Sequence, residues 1–187
     1  MRIVAGRHRG RSLTAPEGLA VRPTADRTRE AAFNVLCQGK LAGGRNPIEG
    51  ARVLDAFAGT GALGLEALSR GAERVTFMET QAAALAALRD NIASLGEAER
   101  AEVLAVDVLR PPAAQAACEV ALLDPPYNQG LAAPALSALA AAGWLAEGAL
   151  IALELMKSES FEVPEGFEEL DVRTYGKAKV AFLAYIG

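Results

Sequence analysis

The sequence contains few of the residues on which many enzyme classes depend. Its 187 residues include two cysteines, Cys37 and Cys118, and a single histidine, His8. Two cysteines do not make a disulfide framework, and no Cys/His pair has the spacing of a zinc site, so we expect no metal. A Ser-His-Asp triad would have to use His8, which lies among arginines, and the sequence therefore disfavours that kind of hydrolase.

The sequence also lacks a long apolar run. Its longest one, residues 131–146, is rich in alanine and is interrupted by Pro134, Ser137 and Gly143, so it does not match a membrane span. Arg2 is followed by only three apolar residues before Gly6, which does not match a signal peptide. We therefore expect a soluble, cytoplasmic protein with no membrane partner and no obligate protein partner.

Negative charge prevails in the chain as a whole, but its distribution is uneven. The formal net charge is −4. Residues 1–45 contain nine Lys or Arg and three Asp or Glu, whereas the remainder contains ten basic and twenty acidic residues. A basic head on an acidic body is the asymmetry expected of a chain whose head meets a polyanion. We predict a basic N-terminal extension at 1–45, with a small hairpin and a helix, and an α/β domain at 46–187.

Apolar strands alternate with helices from residue 52 onward. Strands are predicted at 52–57, 74–79, 102–107, 119–124 and 149–155, helices at 62–70, 81–95 and 131–142, and a final hairpin at 170–175 and 180–186. This alternation predicts an α/β fold with a mostly parallel sheet, to which the C-terminal hairpin adds an antiparallel strand. Ligands of such sheets lie beyond the carboxyl ends of the strands, which here lie near Asp55, Glu79, Asp107 and Asp124.

A glycine-rich loop after the first strand is the first candidate site. Residues 59–64, GTGALG, match the pattern G-x-G-x-x-G and open a helix, and the glycines permit a tight turn and close approach to a ligand. Glu79 lies 20 residues after Gly59, where a carboxylate accepts hydrogen bonds from ribose hydroxyls. Asp107 is a candidate for the adenine amino group or for the cap of the following turn. NAD and S-adenosylmethionine both contain adenosine, and the loop alone fits either.

The second candidate site is Asp124-Pro125-Pro126-Tyr127, which follows the apolar fourth strand. Two successive prolines fix the backbone and remove two N–H donors, so this turn cannot cradle a phosphate. It presents a carboxylate, backbone carbonyls and an aromatic ring, which together suit a planar amino group. Asp124 and the Pro125 carbonyl can each accept one hydrogen of the amine, and Tyr127 can stack on the ring that bears it.

Together, the two motifs resemble those of the amino-group branch of the class I S-adenosylmethionine methyltransferases. Residues 22–30 (RPTADRTRE), 54–70 (LDAFAGTGALGLEALSR) and the opening RIVAGR resemble the bacterial 16S ribosomal RNA guanine-N2 methyltransferases of the RsmD type. The resemblance covers essentially the whole chain. It implies a Rossmann-like fold with a seven-stranded sheet, S-adenosylmethionine as cofactor and S-adenosylhomocysteine as product. It also implies one guanine of 16S rRNA as substrate, within the 30S subunit or a late assembly intermediate.

The motif chemistry and the resemblance assign three sets of residues. The catalytic set is Asp124, Pro125, Pro126 and Tyr127, and the cofactor set is Asp55, Phe57, Ala58, Gly59, Thr60, Gly61, Glu79 and Asp107. The RNA-binding set is Arg2, Arg7, Arg9, Arg11, Arg22, Thr24, Arg27 and Arg29. Phe57 is an equal candidate for core packing, and the charged residues at 24–29 also suit the solvated start of a helix.

Three other functions remain open on the residues alone. A methyltransferase of the same branch would act on adenine or cytosine in DNA or on a protein glutamine. The glutamine enzymes usually have Asn in place of Asp124, and the DNA enzymes usually carry a target-recognition insert that this chain is too short to hold. An NAD-dependent oxidoreductase would leave residues 124–127 and the basic head without a role. A non-catalytic RNA-binding protein would not need both intact motifs.

Overall fold

A seven-stranded sheet forms the centre of the molecule. The computed structural model describes residues 1–16 and 23–187, with side chains from residue 27 onward in the second range. Its strands are β1 Arg52–Ala56, β2 Arg74–Met78, β3 Ala101–Leu104, β4 Cys118–Leu123, β5 Leu145–Met156, β6 Phe167–Tyr175 and β7 Ala178–Tyr185. Its helices are α1 Pro23–Cys37, α2 Ala62–Ser69, α3 Ala82–Leu95 and α4 Ala132–Ala141, and a short 3-10 helix, Lys40–Ala42, follows α1.

The strand order in the sheet is β3-β2-β1-β4-β5-β7-β6. Strands β1 to β5 run parallel, whereas β7 runs antiparallel between β5 and β6. The predicted fold class is therefore confirmed, with seven strands and a C-terminal antiparallel hairpin. The order of the strands reverses between β1 and β4, and open α/β sheets bind their ligands at the carboxyl ends of the strands at such a point. Both candidate motifs follow these two strands.

The helices follow from apolar residues at helical spacing and from glycines that end them. On α3, Leu85, Leu88, Ile92 and Leu95 are buried, and the helix ends at Gly96, whose positive φ of 71° suits a residue without a side chain. Side chains of α1, α2 and α3 pack on one face of the sheet, and those of α4 pack on the other. Among the described residues, no helix is long and apolar enough to cross a membrane.

The predicted strand boundaries differ from the structure mainly at β3, β5 and β6. Strand β6 begins at Phe167 rather than at 170, since Phe167 already pairs with Tyr185 on β7. Strand β3 ends at Leu104, three residues before Asp107, because it lies at the edge of the sheet and pairs only with β2. Strand β5 begins at Leu145 rather than at 149, since Leu145 already pairs with Cys118 before the register shifts. Asp107 therefore lies in the loop that follows the strand instead of at its last position.

The N-terminal extension packs closely on the α/β domain. Arg2 and Ser12 form an isolated antiparallel bridge, which is the predicted small hairpin in its shortest form. Ile3 and Leu13 belong to the same buried cluster as side chains of α1, α2 and α3. Ile48, three residues after the predicted boundary at residue 45, is fully buried in this cluster. The division at residue 45 stays a prediction, and the apolar core continues across it.

Candidate active site

Asp55 places a buried carboxylate in β1, beside the glycine loop. Its side chain is 1% exposed, and its Oδ2 accepts a hydrogen bond of 2.7 Å from the Gly64 N–H. Oδ1 is buried and has no hydrogen-bond partner among the described residues. Burial raises the pKa of Asp55 well above its usual value, against the Gly64 hydrogen bond, and the charges of Asp124 and Glu79 raise it further. The site therefore concentrates negative charge where β1, β2 and β4 end.

Glu79 directly follows β2 and contacts the backbone of the glycine loop. Its Oε2 accepts a hydrogen bond of 2.8 Å from the Gly59 N–H, and its Oε1 accepts bonds of 2.7 Å from the N–H groups of Thr80 and Gln81. The loop N–H groups at Gly59 and Gly64 are thus both engaged by carboxylates. A pyrophosphate needs such N–H donors, and these two are therefore not available to a dinucleotide.

The two loop glycines are required for different reasons. Both have positive φ, 55° at Gly59 and 82° at Gly61. A Cβ at Gly59 would meet nothing within 4 Å, so the space beside this residue is open to a ligand. A Cβ at Gly61 would lie 2.3 Å from Leu88 Cδ1 on α3, so this glycine also permits close packing of the loop on the helix.

The other predicted cofactor residues shape the turn rather than present charged groups. Phe57 follows β1 with a positive φ of 63° and packs partly against the apolar cluster on the α4 face. Ala58 is buried and donates its N–H to the Met78 carbonyl at 2.9 Å. Thr60 is buried, and its carbonyl accepts a hydrogen bond of 3.0 Å from Asn91 on α3. Each of these contacts holds the backbone of the loop.

Asp107 caps the turn that follows β3. Its Oδ1 accepts a hydrogen bond of 3.0 Å from the Leu109 N–H, and its Oδ2 pairs with Arg110 at 3.2 Å. The Leu109 hydrogen bond, together with Arg110, lowers the pKa of Asp107. The structure therefore shows the capping role that was the alternative to an adenine contact, and a contact with adenine stays a prediction.

The motif at 124–127 forms a turn at the carboxyl end of β4. Asp124 and Pro126 are exposed, Pro125 is buried and Tyr127 is half-buried. The Tyr127 hydroxyl donates a short hydrogen bond to Oε1 of Glu154 on β5. The turn and the glycine loop lie side by side, because Leu123 at the end of β4 pairs with Ala56 at the end of β1, and the charge of Asp124 raises the pKa of Asp55. The structure thus brings the catalytic and cofactor sets together.

The predicted RNA-binding arginines separate into two groups. Arg2, Arg9 and Arg27 are exposed and line a groove of about 530 Å³, together with Glu30 and backbone of the N-terminal hairpin. Arg7 forms a short ion pair with the buried Glu97, and Arg11 donates to the Ser94 carbonyl at 2.7 Å. Both of these remain partly accessible on the surface of the extension, beside α3. Arg22 lies outside the described residues, as does the side chain of Thr24.

Arg29 is buried, whereas an RNA-binding role would need it on the surface. Its side chain is 4% exposed, so it presents no charge to a phosphate in this structure. It donates a hydrogen bond of 2.7 Å to the Arg2 carbonyl and lies 4.0 Å from the fully buried Glu66. A buried guanidinium is retained by such partners. Its observed contacts are structural: it joins α1 to the hairpin and to α2.

Glu66 anchors the extension to α2. Its carboxylate accepts hydrogen bonds from the N–H groups of Val4 at 2.8 Å and Ala5 at 3.0 Å, and from Arg70 at 2.7 Å. The side chain is fully buried, with Arg29 as its second basic neighbour. Because α2 also begins with the glycine loop, this one carboxylate joins the basic extension to the candidate cofactor site.

Gly6 permits the closest contact between the extension and α2. Its φ is 78°, and a Cβ there would lie 1.8 Å from the Ser69 carbonyl oxygen. The Arg7 N–H donates to that oxygen at 2.9 Å, the His8 N–H donates to Ser69 Oγ at 3.0 Å, and Ser69 Oγ donates to the Ala5 carbonyl at 2.5 Å. No larger residue fits this position without moving the backbone.

Sequence reasoning missed three polar residues that organise the site: Glu66 and Asn91, which are buried, and Glu154, which is half-buried. Asn91 joins the loop carbonyl of Thr60 to both backbone groups of Thr14 in the extension. All three had the same signal: a polar residue at a position where the spacing of the apolar residues predicts the packed face of a helix or strand. Such a residue is retained in a core when it satisfies specific hydrogen bonds. Within the described ranges, no cluster of three potential metal ligands occurs.

Comparison with known proteins supplies the family. A family model described as Conserved hypothetical protein 95 matches residues 1–184. The ribosomal RNA small subunit methyltransferase D of Haemophilus influenzae is 38% identical over 180 residues, which cover 94% of this chain and 89% of that protein. The chain belongs to the family of ribosomal RNA small subunit methyltransferase D. The methyltransferase D of Escherichia coli K12 is 39% identical over 155 residues, 82% of this chain and 74% of that protein.

A solved structure agrees with this membership. The yhhF protein of Escherichia coli matches with a TM-score of 0.81 and 33% identity, covering 100% of this chain and 98% of that chain. The resemblance predicted from the motifs is confirmed, as is the enzyme class of methyltransferase. The roles of individual residues in the methyltransferase D family site stay predictions for this chain.

Proposed function

We propose that this chain transfers a methyl group from S-adenosylmethionine to the N2 amine of one guanine in small-subunit ribosomal RNA. Two relatives that cover most of the chain are named small subunit ribosomal RNA methyltransferases. The choice of guanine N2 comes from the motif resemblance and from the chemistry of the turn at 124–127. The 30S subunit or a late assembly intermediate is the proposed form of the substrate.

One observation distinguishes the proposed cofactor from a dinucleotide. The N–H groups of Gly59 and Gly64 donate to the carboxyl groups of Glu79 and Asp55, and a third acid, Asp124, lies near enough for its charge to raise the pKa of Asp55. A dinucleotide would bring two phosphate charges close to these acids, whereas S-adenosylmethionine carries a sulfonium, an ammonium and one carboxylate and therefore has a net positive charge. Opposite charges attract strongly in a partly buried site, so the arrangement supports the cationic ligand.

The residues present fit S-adenosylmethionine at three points. The unpartnered, buried Oδ1 of Asp55 can accept a hydrogen bond from a cationic donor. The open space beside Gly59 leaves room for the methionine part of the cofactor. Three of about four lone-pair positions of the Glu79 carboxylate are used, which leaves one for a ribose hydroxyl. We assign the adenine contact to Asp107, whose carboxylate is partly exposed.

The chain's contribution to the reaction is position and charge. S-adenosylmethionine, when bound, supplies a methyl group on a sulfonium sulfur that an amine nitrogen can take by direct displacement. Asp124 and the Pro125 carbonyl would each accept a hydrogen of the guanine amine and fix its orientation. The Asp124 carboxylate would also stabilise the positive charge that develops on the nitrogen. Tyr127 would hold the base by stacking, which contributes about 1–3 kcal/mol per base.

The experiment that tests this function uses labelled S-adenosylmethionine and small subunits from a strain that lacks the enzyme. The expected result is one labelled nucleotide, a guanine methylated at N2, identified by nuclease digestion and mass spectrometry. Label on adenine N6 or on protein would overturn the guanine assignment. Calorimetry with S-adenosylhomocysteine and with NADH, run in parallel, should show binding of the first and none of the second.

The groove lined by Arg2, Arg9 and Arg27 gives a prediction for RNA binding. Replacing both Arg9 and Arg27 by Ala is expected to weaken binding and to flatten its salt dependence, because fewer counterions are released. The slope of log K against log salt should fall by about one for each arginine that contacts a phosphate. Filter binding or fluorescence anisotropy with an rRNA fragment from 50 to 200 mM salt measures this slope.

Arg74 provides the matched control for this measurement. It is exposed at the first position of β2, so it lies at the amino ends of the parallel strands, whereas the candidate site lies at their carboxyl ends. The Arg74→Ala variant should keep both the affinity and the salt slope of the parent protein. An unchanged slope in the Arg9→Ala, Arg27→Ala variant would remove this groove from the RNA-binding surface.

The raised pKa of Asp55 gives a prediction for stability. Because burial raises the pKa of this carboxyl, the folded chain binds a proton more tightly than the unfolded chain, whose value is about 3.9. The stability that the protonated carboxyl contributes is fully present at a pH below the pKa of the unfolded chain. It is lost as the pH rises through the pKa of Asp55 in the folded chain. Relative to the non-titrating Asp55→Asn variant, the parent should therefore lose free energy of unfolding as the pH rises above about 4. Urea unfolding at a series of pH values measures the difference, and parallel curves for the two proteins would contradict it.

A further inference from the structure

Glu154 is the acidic residue in the apolar second half of β5, residues 149–156, and it has no role in the proposed reaction as described above. It lies in β5 between Leu153 and Leu155, which are both buried, and it pairs with Val180 on β7. Its side chain lines a narrow space together with Phe33 and other apolar residues between α1 and the sheet. An acid in such surroundings costs free energy unless specific partners satisfy it.

The partners of Glu154 come from the catalytic turn and from α1. Its Oε1 accepts the short hydrogen bond from the Tyr127 hydroxyl. Burial raises the pKa of Glu154, whereas the Tyr127 hydrogen bond and the charge of Arg29 lower it. Arg29 is itself held by the Arg2 carbonyl and lies beside Glu66. Glu154 therefore lies between the proposed base-binding ring and a fixed, buried positive charge.

We propose that Glu154 is a positioning residue for the methyl transfer, because its carboxylate fixes the ring of Tyr127 at the mouth of the site. This inference rests on the proposed function, in which that ring holds the target base. The two prolines restrict the backbone of the turn, but they do not restrict the side-chain torsions of Tyr127. The hydroxyl is the polar end of this side chain, and Glu154 is rigidly placed by the pairing of β5 with β4 and β7.

The orientation of the ring matters because stacking places the guanine amine relative to Asp124. A displacement of about 1 Å at a reacting centre can lower a rate by about 100-fold. A hydrogen bond at the far end of the ring prevents rotation of the side chain away from the site. Glu154 and Arg29 line the same narrow space, and Arg29 in turn donates to the Arg2 carbonyl of the N-terminal hairpin.

The kinetic test compares four single variants, one of them a control, and the double variant Glu154→Leu, Tyr127→Phe on small subunits. Glu154→Leu removes the acceptor and should lower kcat by about 10- to 100-fold, with the KM for S-adenosylmethionine within about threefold of the parent. Glu154→Gln keeps an acceptor oxygen and should restore most of the lost rate. Tyr127→Phe should lose about as much as Glu154→Leu, and the double variant should lose no more than either single one. Glu147→Gln is the matched control, since Glu147 is exposed in the same strand and should have no effect.

A second measurement needs no methyl transfer. The chain contains three tyrosines, so 3-fluorotyrosine labelling gives three fluorine NMR signals, and Tyr127→Phe identifies the one from Tyr127. Glu154→Leu should shift or broaden that signal and leave the other two unchanged, whereas Glu154→Gln should leave all three near their parent positions. An unaltered Tyr127 signal in Glu154→Leu would overturn the inference, as would a full additional loss of kcat in the Tyr127→Phe background. Failure of the parent protein to methylate RNA would refute the proposed function, and the fluorine signal would still decide the position of Tyr127.

Discussion

The Asp124→Ala variant is expected to transfer methyl groups to small subunits about 100- to 1000-fold more slowly than the parent protein. This is the usual effect of removing a group that stabilises developing charge. Asp124 is exposed directly at the end of β4, whereas the last four residues of that strand are buried. The strand and the two prolines that follow therefore hold one accessible carboxylate in a fixed place. Without it, the guanine amine loses a hydrogen-bond acceptor, and its developing positive charge loses the nearest proposed counter-charge.

The binding of S-adenosylhomocysteine should change only a few-fold in the same variant. The proposed cofactor contacts come from Asp55, Glu79 and the glycine loop, and Asp124 influences them only through its charge. Asp124→Asn should fall between the parent and Asp124→Ala, because an amide oxygen can still accept one hydrogen but carries no net charge. Single-turnover rates and calorimetry separate the two effects. Asp90→Ala, at an exposed position on α3, is the control and should behave as the parent. Near-normal turnover in Asp124→Ala would disprove the catalytic assignment.

The fold and the location of the site could be predicted from local patterns. The strand at 118–123 is a nearly continuous apolar run and the helix at 82–95 has apolar residues at helical spacing, and their predicted bounds differ from the structure by one residue at most. The motifs could be located because each directly follows a strand, and the carboxyl ends of parallel strands share one edge of the sheet. Local sequence is therefore sufficient to locate these motifs, because each motif and the strand that positions it lie in one short segment of the chain.

The contacts of charged residues could not be predicted in the same way. Arg29 and Arg27 are two residues apart in one basic segment, yet Arg29 is buried beside Glu66 and Arg27 lines the surface groove. Helical geometry places residues two apart on different faces, but the sequence does not show which face α1 buries until its partners are known. The partners of Arg29 are the Arg2 carbonyl and Glu66, 27 and 37 residues away, so they depend on tertiary packing.

The burial of Glu66 has a large expected consequence for stability. Replacing Glu66 by Ala would leave the N–H groups of Val4 and Ala5 without their acceptor and would remove the counter-charge of Arg29 and Arg70. Breaking a buried ion pair by removing one partner usually costs about 3–5 kcal/mol. Since a domain of this size is stable by about 5–15 kcal/mol, the variant should lose a large part of its stability. Its melting temperature should fall by about 6–20 °C.

A comparison of three variants separates the charge of Glu66 from its hydrogen bonds. Glu66→Gln keeps one acceptor oxygen but removes the charge, so it should lose less stability than Glu66→Ala. Glu73→Ala, at an exposed position shortly after α2, should stay within about 0.5 kcal/mol of the parent. Urea unfolding of the three proteins measures these differences. In Glu66→Ala, amide hydrogen exchange should also be faster at residues 3–13 than in the strands of the sheet, because this carboxylate holds the hairpin against α2. Equal stability of Glu66→Ala and Glu73→Ala would show that the extension is held by its apolar contacts alone.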